Sequence, residues 1–160
     1  MLQTDELTRL YSRRGFVVTG EHLLEASNGR LSCATLLSIR LSHLKFVAHA
    51  LGPRLADNML KRTAAILRDI FNQDSVVGRW NADSFVVLHV ASSGRFKNSL
   101  KSLNERIDAE NTAQGSVSLA LDGHCRMLSL PYSMHRESQI NLARIMREMR
   151  AVSEATVCHD

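Results

Sequence analysis

The chain has 160 residues, of which 44% are hydrophobic and 22% charged, and its formal net charge is +4. This length fits one domain, and the hydrophobic content excludes a disordered chain. We expect no membrane span, because no apolar run approaches the ~20 residues that one needs, and no secretory signal at the acidic start. The sequence therefore favours a cytoplasmic protein whose mild positive charge permits an anionic partner without requiring one.

The three cysteines, Cys33, Cys125 and Cys158, are widely spaced and odd in number. They form no C-x-x-C pair, so the sequence predicts neither a disulfide framework nor a zinc site. This pattern is typical of a reducing compartment, with Cys33 as a small buried hydrophobic residue.

The first half of the chain predicts four elements: a helix over 12–26, a strand over 30–41, a helix over 42–51 and a helix over 54–71. In the strand, apolar residues such as Leu37 and Ile39 alternate with smaller or polar ones. In the last helix, Met59, Thr63 and Leu67 recur at helical spacing. A Gly-Pro pair at 52–53 separates the two neighbouring helices.

The second half predicts a hairpin, a helix, a strand and a final helix. The hairpin joins runs over 75–80 and 84–90, which are rich in residues typical of strands, through the turn Asn81-Ala82-Asp83. The rest of the half contains a helix over 97–110, a strand over 115–121 with an optional hairpin to 126–130, and an amphipathic helix over 137–154. Because helices and strands are mixed along the chain, we expect one sheet covered by helices.

Three stretches resemble one family. Residues 5–16 read D-E-L-T-R-L-Y-S-R-R-G-F and match the pattern D-x-L-T-x-L-x-N-R-R-x-F except at Ser12. Residues 40–57 align without gaps with D-x-D-x-F-K-x-x-N-D-x-x-G-H-x-x-G-D. Residues 79–85, R-W-N-A-D-S-F, stand where R-[YF]-G-G-D-E-F is expected. These are the patterns of GGDEF domains, the diguanylate cyclases.

The resemblance implies an α/β (α+β) fold with a single central, mostly antiparallel sheet flanked by helices, as in nucleotide cyclases. It implies that residues 1–160 form a single degenerate GGDEF domain within a longer multidomain protein. That parent protein could be anchored in a membrane. Members of the family join two GTP molecules into cyclic di-GMP with Mg²⁺, which requires hard oxygen ligands.

The metal ligands of the family are largely replaced. Arg40 stands at the first metal aspartate, Ser42 at the next aspartate, and Ser84 at the glutamate of the hairpin, so that only Asp83 remains. A guanidinium has no acceptor lone pair and stays charged. We therefore expect no catalytic residues and no Mg²⁺ binding, and we expect Arg40 to pair with Asp83 rather than touch a phosphate.

The nucleotide contacts are also depleted. Ala48 replaces the base-binding asparagine, and Asn81 and Ala82 replace the two glycines that let a phosphate approach. Asp57 keeps the base-binding carboxylate and Lys45 keeps the phosphate-facing lysine, although either suits an ordinary helix surface equally well. The resemblance thus leaves a vestigial nucleotide site: Lys45, Asp57, Asn81, Ala82, Asp83 and Ser84.

The inhibitory R-x-x-D motif of the family falls on residues 72–75, which read N-Q-D-S. Cyclic di-GMP is therefore not expected at the usual inhibitory site, and the charge pattern does not indicate a nucleic-acid partner. The resemblance implies a catalytically inactive regulatory or interaction domain in bacterial cyclic di-GMP signalling. Its partner would be an adjacent sensor domain, an EAL-type domain or another signalling protein. The alternative is residual diguanylate cyclase activity or sensing of GTP, with weak GTP binding.

Overall fold

The computed structural model describes residues 3–27, 33–114 and 117–129. The elements follow the predicted order closely from the first helix to the hairpin. They are α1 (Arg13–Ser27), β1 (Cys33–Leu41), α2 (Leu44–Leu51), α3 (Pro53–Ile70), β2 (Ser75–Asn81), β3 (Ser84–His89), α4 (Ser93–Gln114) and β4 (Leu121–Ser129).

The described strands form a sheet in the order β2-β3-β1-β4, in which every neighbouring pair is antiparallel. The first strand of the chain is thus central, with Leu37 paired to Val87 on one side and to Cys125 on the other. The predicted fold class, an antiparallel sheet flanked by helices, is confirmed.

Helices cover both faces of this sheet. On one face, Ile39 and Phe85 pack with Leu67 of α3 and with the apolar side of α4. On the other, Leu36 and Leu88 pack with Phe16 of α1. Both faces of β3 are buried along its whole length, which explains the apolar run over residues 85–88. The sheet is therefore a rigid platform whose strand ends carry the candidate site.

Gly78 explains how closely α1 approaches the sheet. A Cβ atom at this position would lie 2.8 Å from the Cβ atom of Phe16, which is fully buried. Only a glycine in β2 leaves room for that ring, and Phe16 then meets Trp80 edge to face with 6.3 Å between ring centroids. The helix that follows the opening motif is thereby locked to the hairpin.

The predicted strand over 115–121 is wrong in its position. The strand begins at Leu121 and continues without a hairpin to Ser129, paired with β1 along its whole length. The preceding Leu119 is held instead by the side chain of Asn111, whose amide accepts from its N–H at 2.7 Å and donates to its carbonyl at 2.9 Å. The predicted helix over 137–154 lies outside the described residues.

Two expectations from composition concern the thiols and the membrane. Cys125, on β4, is disulfide-bonded, so the expectation of no disulfide is wrong for this residue. Spacing along the chain could not reveal this, because pairing depends on the distance between Cα atoms in the fold. Among the described helices, none has both the length and the hydrophobicity of a membrane span.

Candidate functional site at the strand ends

Antiparallel pairing brings three distant segments together at one end of the sheet, where the strands start or stop. The end of β1, the turn between β2 and β3 and the start of β4 meet there. Arg40 lies opposite Ser84 on β3 and opposite Asp122 on β4. Arg40, Ser84 and Asp122 therefore occupy one row across three neighbouring strands.

Asp122 is the acceptor in this row. Nη2 of Arg40 lies 3.6 Å from Oδ2 of Asp122, and the hydroxyl of Ser42 donates to the same oxygen at 2.7 Å. The expected pair of Arg40 with Asp83 is therefore wrong, because the strand register places Asp122 directly beside the arginine. The side chains of Arg40 and Asp122 are both more than half exposed.

The turn that replaces the two glycines keeps its place through backbone contacts. The guanidinium of Arg79 donates to the carbonyls of Asn81 at 3.3 Å and Ala82 at 3.0 Å. The carbonyl of Asp83 accepts from the N–H of Leu41 at 2.8 Å. Neither Asn81 nor Ala82 has a positive φ angle, so this turn does not require glycine.

The amide oxygen of Asn81 accepts a hydrogen bond from Arg13, whose guanidinium also donates to the carbonyl of Trp80 at 3.0 Å. The same guanidinium lies 4.4 Å from the centroid of the Trp80 ring. Asn81 therefore secures α1 to the hairpin, and its side chain is engaged in the fold.

Asp5 fastens the opening motif to the hairpin. Its carboxylate accepts from the N–H of Thr8 at 3.0 Å, from the Thr8 hydroxyl at 2.6 Å and from Arg79 at 3.2 Å. Burial acts to raise the pKa of Asp5, but the Thr8 hydrogen bonds and the Arg79 charge outweigh it and lower that pKa below its ordinary value of 3.8. The first residue of the family pattern thus has a structural role here.

The remaining predicted site residues are spread over three elements. Lys45 and Asp57 are exposed on α2 and α3, two helices that pack against each other. Among the described hydrogen bonds and ion pairs, none joins either side chain to the hairpin turn. Asp83 is half-buried in the turn, and Ser84 is buried with a hydroxyl that has no described partner.

The donor set does not fit Mg²⁺. The positive charge of Arg40 lies where the family pattern has a carboxylate, and Asp122 is already engaged by Arg40 and Ser42. Among the described residues, no group of three His, Cys, Asp or Glu side chains is arranged to hold a metal ion. Magnesium requires several oxygen ligands in near-octahedral geometry.

Sequence reasoning missed Asp122 entirely. This residue follows the last clear apolar alternation, in a stretch whose strand boundary was predicted too early. In the sequence it is a lone acidic residue directly after the strand predicted over 115–121, and such a residue indicates nothing without the register to β1.

The window that corresponds to the inhibitory motif is engaged in local structure. The hydroxyl of Ser75 lies 2.6 Å from Nδ1 of His89, and Asp74, with φ of 52°, pairs with Arg95 at 3.4 Å. The arginine and aspartate of the family motif would stand at positions 72 and 75, which here are Asn72 and Ser75.

The comparisons agree with this geometry. The family model described as "Diguanylate cyclase, GGDEF domain" matches residues 2–152. The GGDEF domain of PA1120 from Pseudomonas aeruginosa is 22% identical, with a TM-score of 0.70 over 92% of this chain and 89% of that one. The GGDEF domain of FimX from the same organism is 16% identical, with a TM-score of 0.69 over 92% and 93%.

Two further similar structures are complexes. The coiled coil and GGDEF domain of DgcB from Caulobacter crescentus, solved with cyclic di-GMP, is 14% identical, with a TM-score of 0.71 over 93% of this chain and 81% of that one. Diguanylate cyclase SiaD of Pseudomonas aeruginosa, solved with its activator SiaC, is 16% identical, with a TM-score of 0.70 over 92% and 58%. No curated protein matches the chain.

A family match over nearly the whole chain defines the class of the protein: this chain belongs to the GGDEF family. It therefore carries the domain of cyclic di-GMP signalling proteins, with the nucleotide-cyclase-like fold described above.

Proposed function

We propose that this domain is a catalytically inactive, regulatory GGDEF domain of bacterial cyclic di-GMP signalling. It acts in the cytoplasm through protein contacts, with a neighbouring sensor or EAL-type domain or with a separate signalling protein. It neither needs Mg²⁺ nor joins two GTP molecules.

The observation that carries the proposal is the ion pair at the strand ends. Arg40 occupies the row where the family holds its metal carboxylate, and Asp122, the acid across the strand, neutralises that arginine. A metal ion would have to displace a guanidinium and overcome its charge before reaching an oxygen ligand. The row is therefore better suited to an ion pair than to phosphoryl transfer.

The surface of α2 supports action through a protein partner. Phe46 is 68% exposed and Leu51 is 57% exposed, and both line an apolar groove of about 420 Å³ beside Val117. Large exposed apolar side chains that lie together on a folded domain often mark contact surfaces. The complex of the related SiaD with a protein activator is consistent with regulation of this kind.

The decisive experiment incubates the domain with GTP and Mg²⁺ or Mn²⁺ and measures cyclic di-GMP. We expect no product above a metal-free blank, and any metal-dependent turnover would overturn the proposal.

A restored variant tests whether the strand-end row is the reason for inactivity. Combining Arg40→Asp, Ser84→Glu, Asn81→Gly and Ala82→Gly would place new carboxylates beside Asp122, and we expect Mg²⁺-dependent GTP binding to appear. As a charge control, Arg54→Asp makes the same change in charge as Arg40→Asp alone, at an exposed position at the start of α3. Equal gains in the two variants would contradict the assignment of the row.

The second candidate function is GTP sensing or residual cyclase activity. It is favoured by Lys45 and Asp57, which remain exposed and have no described partner. Calorimetric titration with GTP separates the two proposals. We expect no micromolar affinity for GTP that depends on Asp57, whereas a sensor would lose its affinity in Asp57→Ala.

A further inference from the structure

An apolar groove lies beside α2 and has a volume of about 420 Å³. The side chains that line it come from α2 and the two residues before that helix, from α3 and from residues 117–118. Most of the lining is apolar: Phe46, Val47, Leu51, Met59 and Val117. The other lining residues in the described ranges are His43 and two serines, so no acidic side chain is among them. This surface, the α2 groove, therefore suits the apolar side chains of a partner.

Two large apolar side chains of α2 are exposed at this groove. Phe46 is 68% exposed and Leu51 is 57% exposed, whereas Leu44 and Val47 of the same helix are buried in the core. Folding thus accounts for the buried pair and leaves the exposed pair in contact with water. Because covering an apolar side chain is favourable, a partner that packs on Phe46 and Leu51 would gain binding energy from both.

The position of α2 is fixed before any partner arrives. His43, which precedes the helix, has a φ angle of 65°, and Gly52, which follows it, has a φ angle of 100°. The N–H of Val47 donates to the carbonyl of His43 at 2.9 Å, and the N–H of Gly52 donates to the carbonyl of Ala48 at 3.2 Å. A partner therefore meets a preformed surface, which lowers the entropic cost of binding.

The chain around the α2 groove is basic. Residues 40–56 contain two arginines, one lysine and two histidines but no acidic residue. One of the arginines, Arg40, is paired with Asp122. The first acidic residue that follows along the chain is Asp57, on α3. The surroundings of the groove therefore attract an acidic partner more than a basic one.

The other cations of this segment are available to such a partner. Lys45 and His49 are exposed, and because they stand at positions i and i+4 they lie on one side of α2. Arg54 is exposed at the start of α3, soon after Leu51. Within the part of the chain that the structure describes, no hydrogen bond or ion pair involves the side chain of Lys45 or Arg54.

The walls of the groove favour a helical partner. The backbone N–H and C=O groups of α2 and α3 are used within their own helices, so an extended chain finds no strand edge there to pair with. An amphipathic helix instead places apolar side chains at positions i, i+3, i+4 and i+7 into an apolar groove. A second copy of this chain would bring the same basic segment against itself, which like charges disfavour.

We propose that the α2 groove binds an acidic amphipathic helix of a protein partner. The apolar side of that helix packs on Phe46 and Leu51, and its carboxylates face Lys45 and Arg54. This inference rests on the proposed function, in which the domain acts through protein contacts. It adds the place of the contact and the chemistry of the partner, and it involves neither a nucleotide nor a metal ion.

The test lets the whole chain select its ligand from a library of helical peptides displayed on phage. We expect the enriched peptides to carry a net negative charge and apolar residues at i, i+3, i+4 and i+7. The same selection on Phe46→Ser should not enrich them. Enrichment of basic or uncharged peptides, no enrichment, or equal capture by Phe46→Ser would overturn the inference.

Fluorescence anisotropy with the most enriched peptide then measures the affinity. Phe46→Ser should weaken binding at least about tenfold, as expected for an aromatic anchor. Arg54→Glu should weaken it less and reduce its dependence on salt. Because both residues are exposed, we expect the two variants to keep the melting temperature of the wild type.

Two matched controls change similar residues elsewhere. Met127→Ser replaces an apolar side chain that is 59% exposed on β4, and Arg14→Glu reverses an exposed charge on α1. Neither residue lines the groove. We expect both controls to bind the peptide like the wild type. A loss in Met127→Ser equal to that in Phe46→Ser would overturn the inference, and so would equal losses in Arg14→Glu and Arg54→Glu.

Two measurements test other occupants of the groove. A dimer that forms in light scattering and is lost in Phe46→Ser would assign the groove to a second copy. Binding to vesicles of phosphatidylserine and phosphatidylcholine that is lost in Phe46→Ser would assign it to a lipid surface. Either result would overturn the inference, and we expect neither.

The failure of this inference is distinguishable from the failure of the proposed function. Metal-dependent formation of cyclic di-GMP would contradict the proposed function whatever the peptides do. A failed peptide selection with a domain that forms no cyclic di-GMP would overturn only the inference about the α2 groove.

Discussion

Two arginine–carboxylate pairs involve strands of this sheet, one of them largely buried and the other exposed. Arg79 and Asp5 are 3.2 Å apart, and only 17% and 22% of their side chains are exposed. Arg40 and Asp122 are 3.6 Å apart, with 61% and 55% exposed. The first pair ties the opening loop to β2, whereas the second spans two strands that are already paired through nine residue positions.

The difference shows which parts of a family pattern the fold needs. Removing the carboxylate of Asp5 would leave the donors of Thr8 and Arg79 without an acceptor in a partly buried place. At the strand end, water solvates either partner, so the fold tolerates an arginine where the family has an aspartate. The fold is thus retained while the chemistry of the site changes.

The largest expected effect is that of Asp5→Ala. It removes the acceptor of the Thr8 and Arg79 hydrogen bonds, and we expect the free energy of unfolding to fall by about 2–4 kcal/mol. Urea denaturation measures this loss. The neighbouring exposed Glu6 provides a control, since Glu6→Ala should cost less than about 0.5 kcal/mol. A loss below about 1 kcal/mol for Asp5→Ala would remove the contrast between the two pairs.

Double-mutant cycles compare the pairs directly. For Asp5 and Arg79 we expect a coupling energy of about 1–2 kcal/mol, because their partial burial limits screening. For Arg40 and Asp122 we expect less than about 0.5 kcal/mol, as for most exposed pairs. Equal coupling energies would show that burial does not distinguish them.

Acid should affect the Asp5 pair as well. Its pKa is lower in the folded protein than its ordinary value of 3.8, so the folded state binds this proton less readily than the unfolded state. The contribution of Asp5 to stability is therefore present above pH 3.8 and is lost as pH falls through the lowered folded pKa. Unfolding curves at successive pH values should show this loss in the wild type, whereas an Asp5→Asn variant that shows the same slope would contradict the assignment.

The smallest expected effect is that of Asp122→Ala. Because the strand-end pair is exposed, we expect stability to change by less than about 0.5 kcal/mol, or about 1–2 °C in melting temperature. Differential scanning calorimetry measures this shift. A loss of stability above about 1 kcal/mol would show that this pair stabilises the fold. It would contradict the inference that the fold merely tolerates an arginine at position 40.

The sequence alone predicted the order of elements up to the hairpin because that information is local. Helical spacing of Met59, Thr63 and Leu67 and the strand-forming runs on either side of residues 81–83 depend on neighbours a few positions away. The family patterns assigned Arg40 and the hairpin to one site, and the strand register brings Arg40 opposite Ser84. The start of β4 was misplaced because Leu119 looks like a strand residue but is held by the side chain of Asn111.

Only the tertiary structure decided the partners. Asp122 lies beside Arg40 because β4 pairs with β1 on the side opposite to β3, a choice of strand order and register that residues around position 122 do not encode. Arg68 near the end of α3 likewise donates to the carbonyl of Thr8 in the opening loop, 60 residues away in the chain. Local patterns determine which elements form, whereas long-range packing determines which side chains meet.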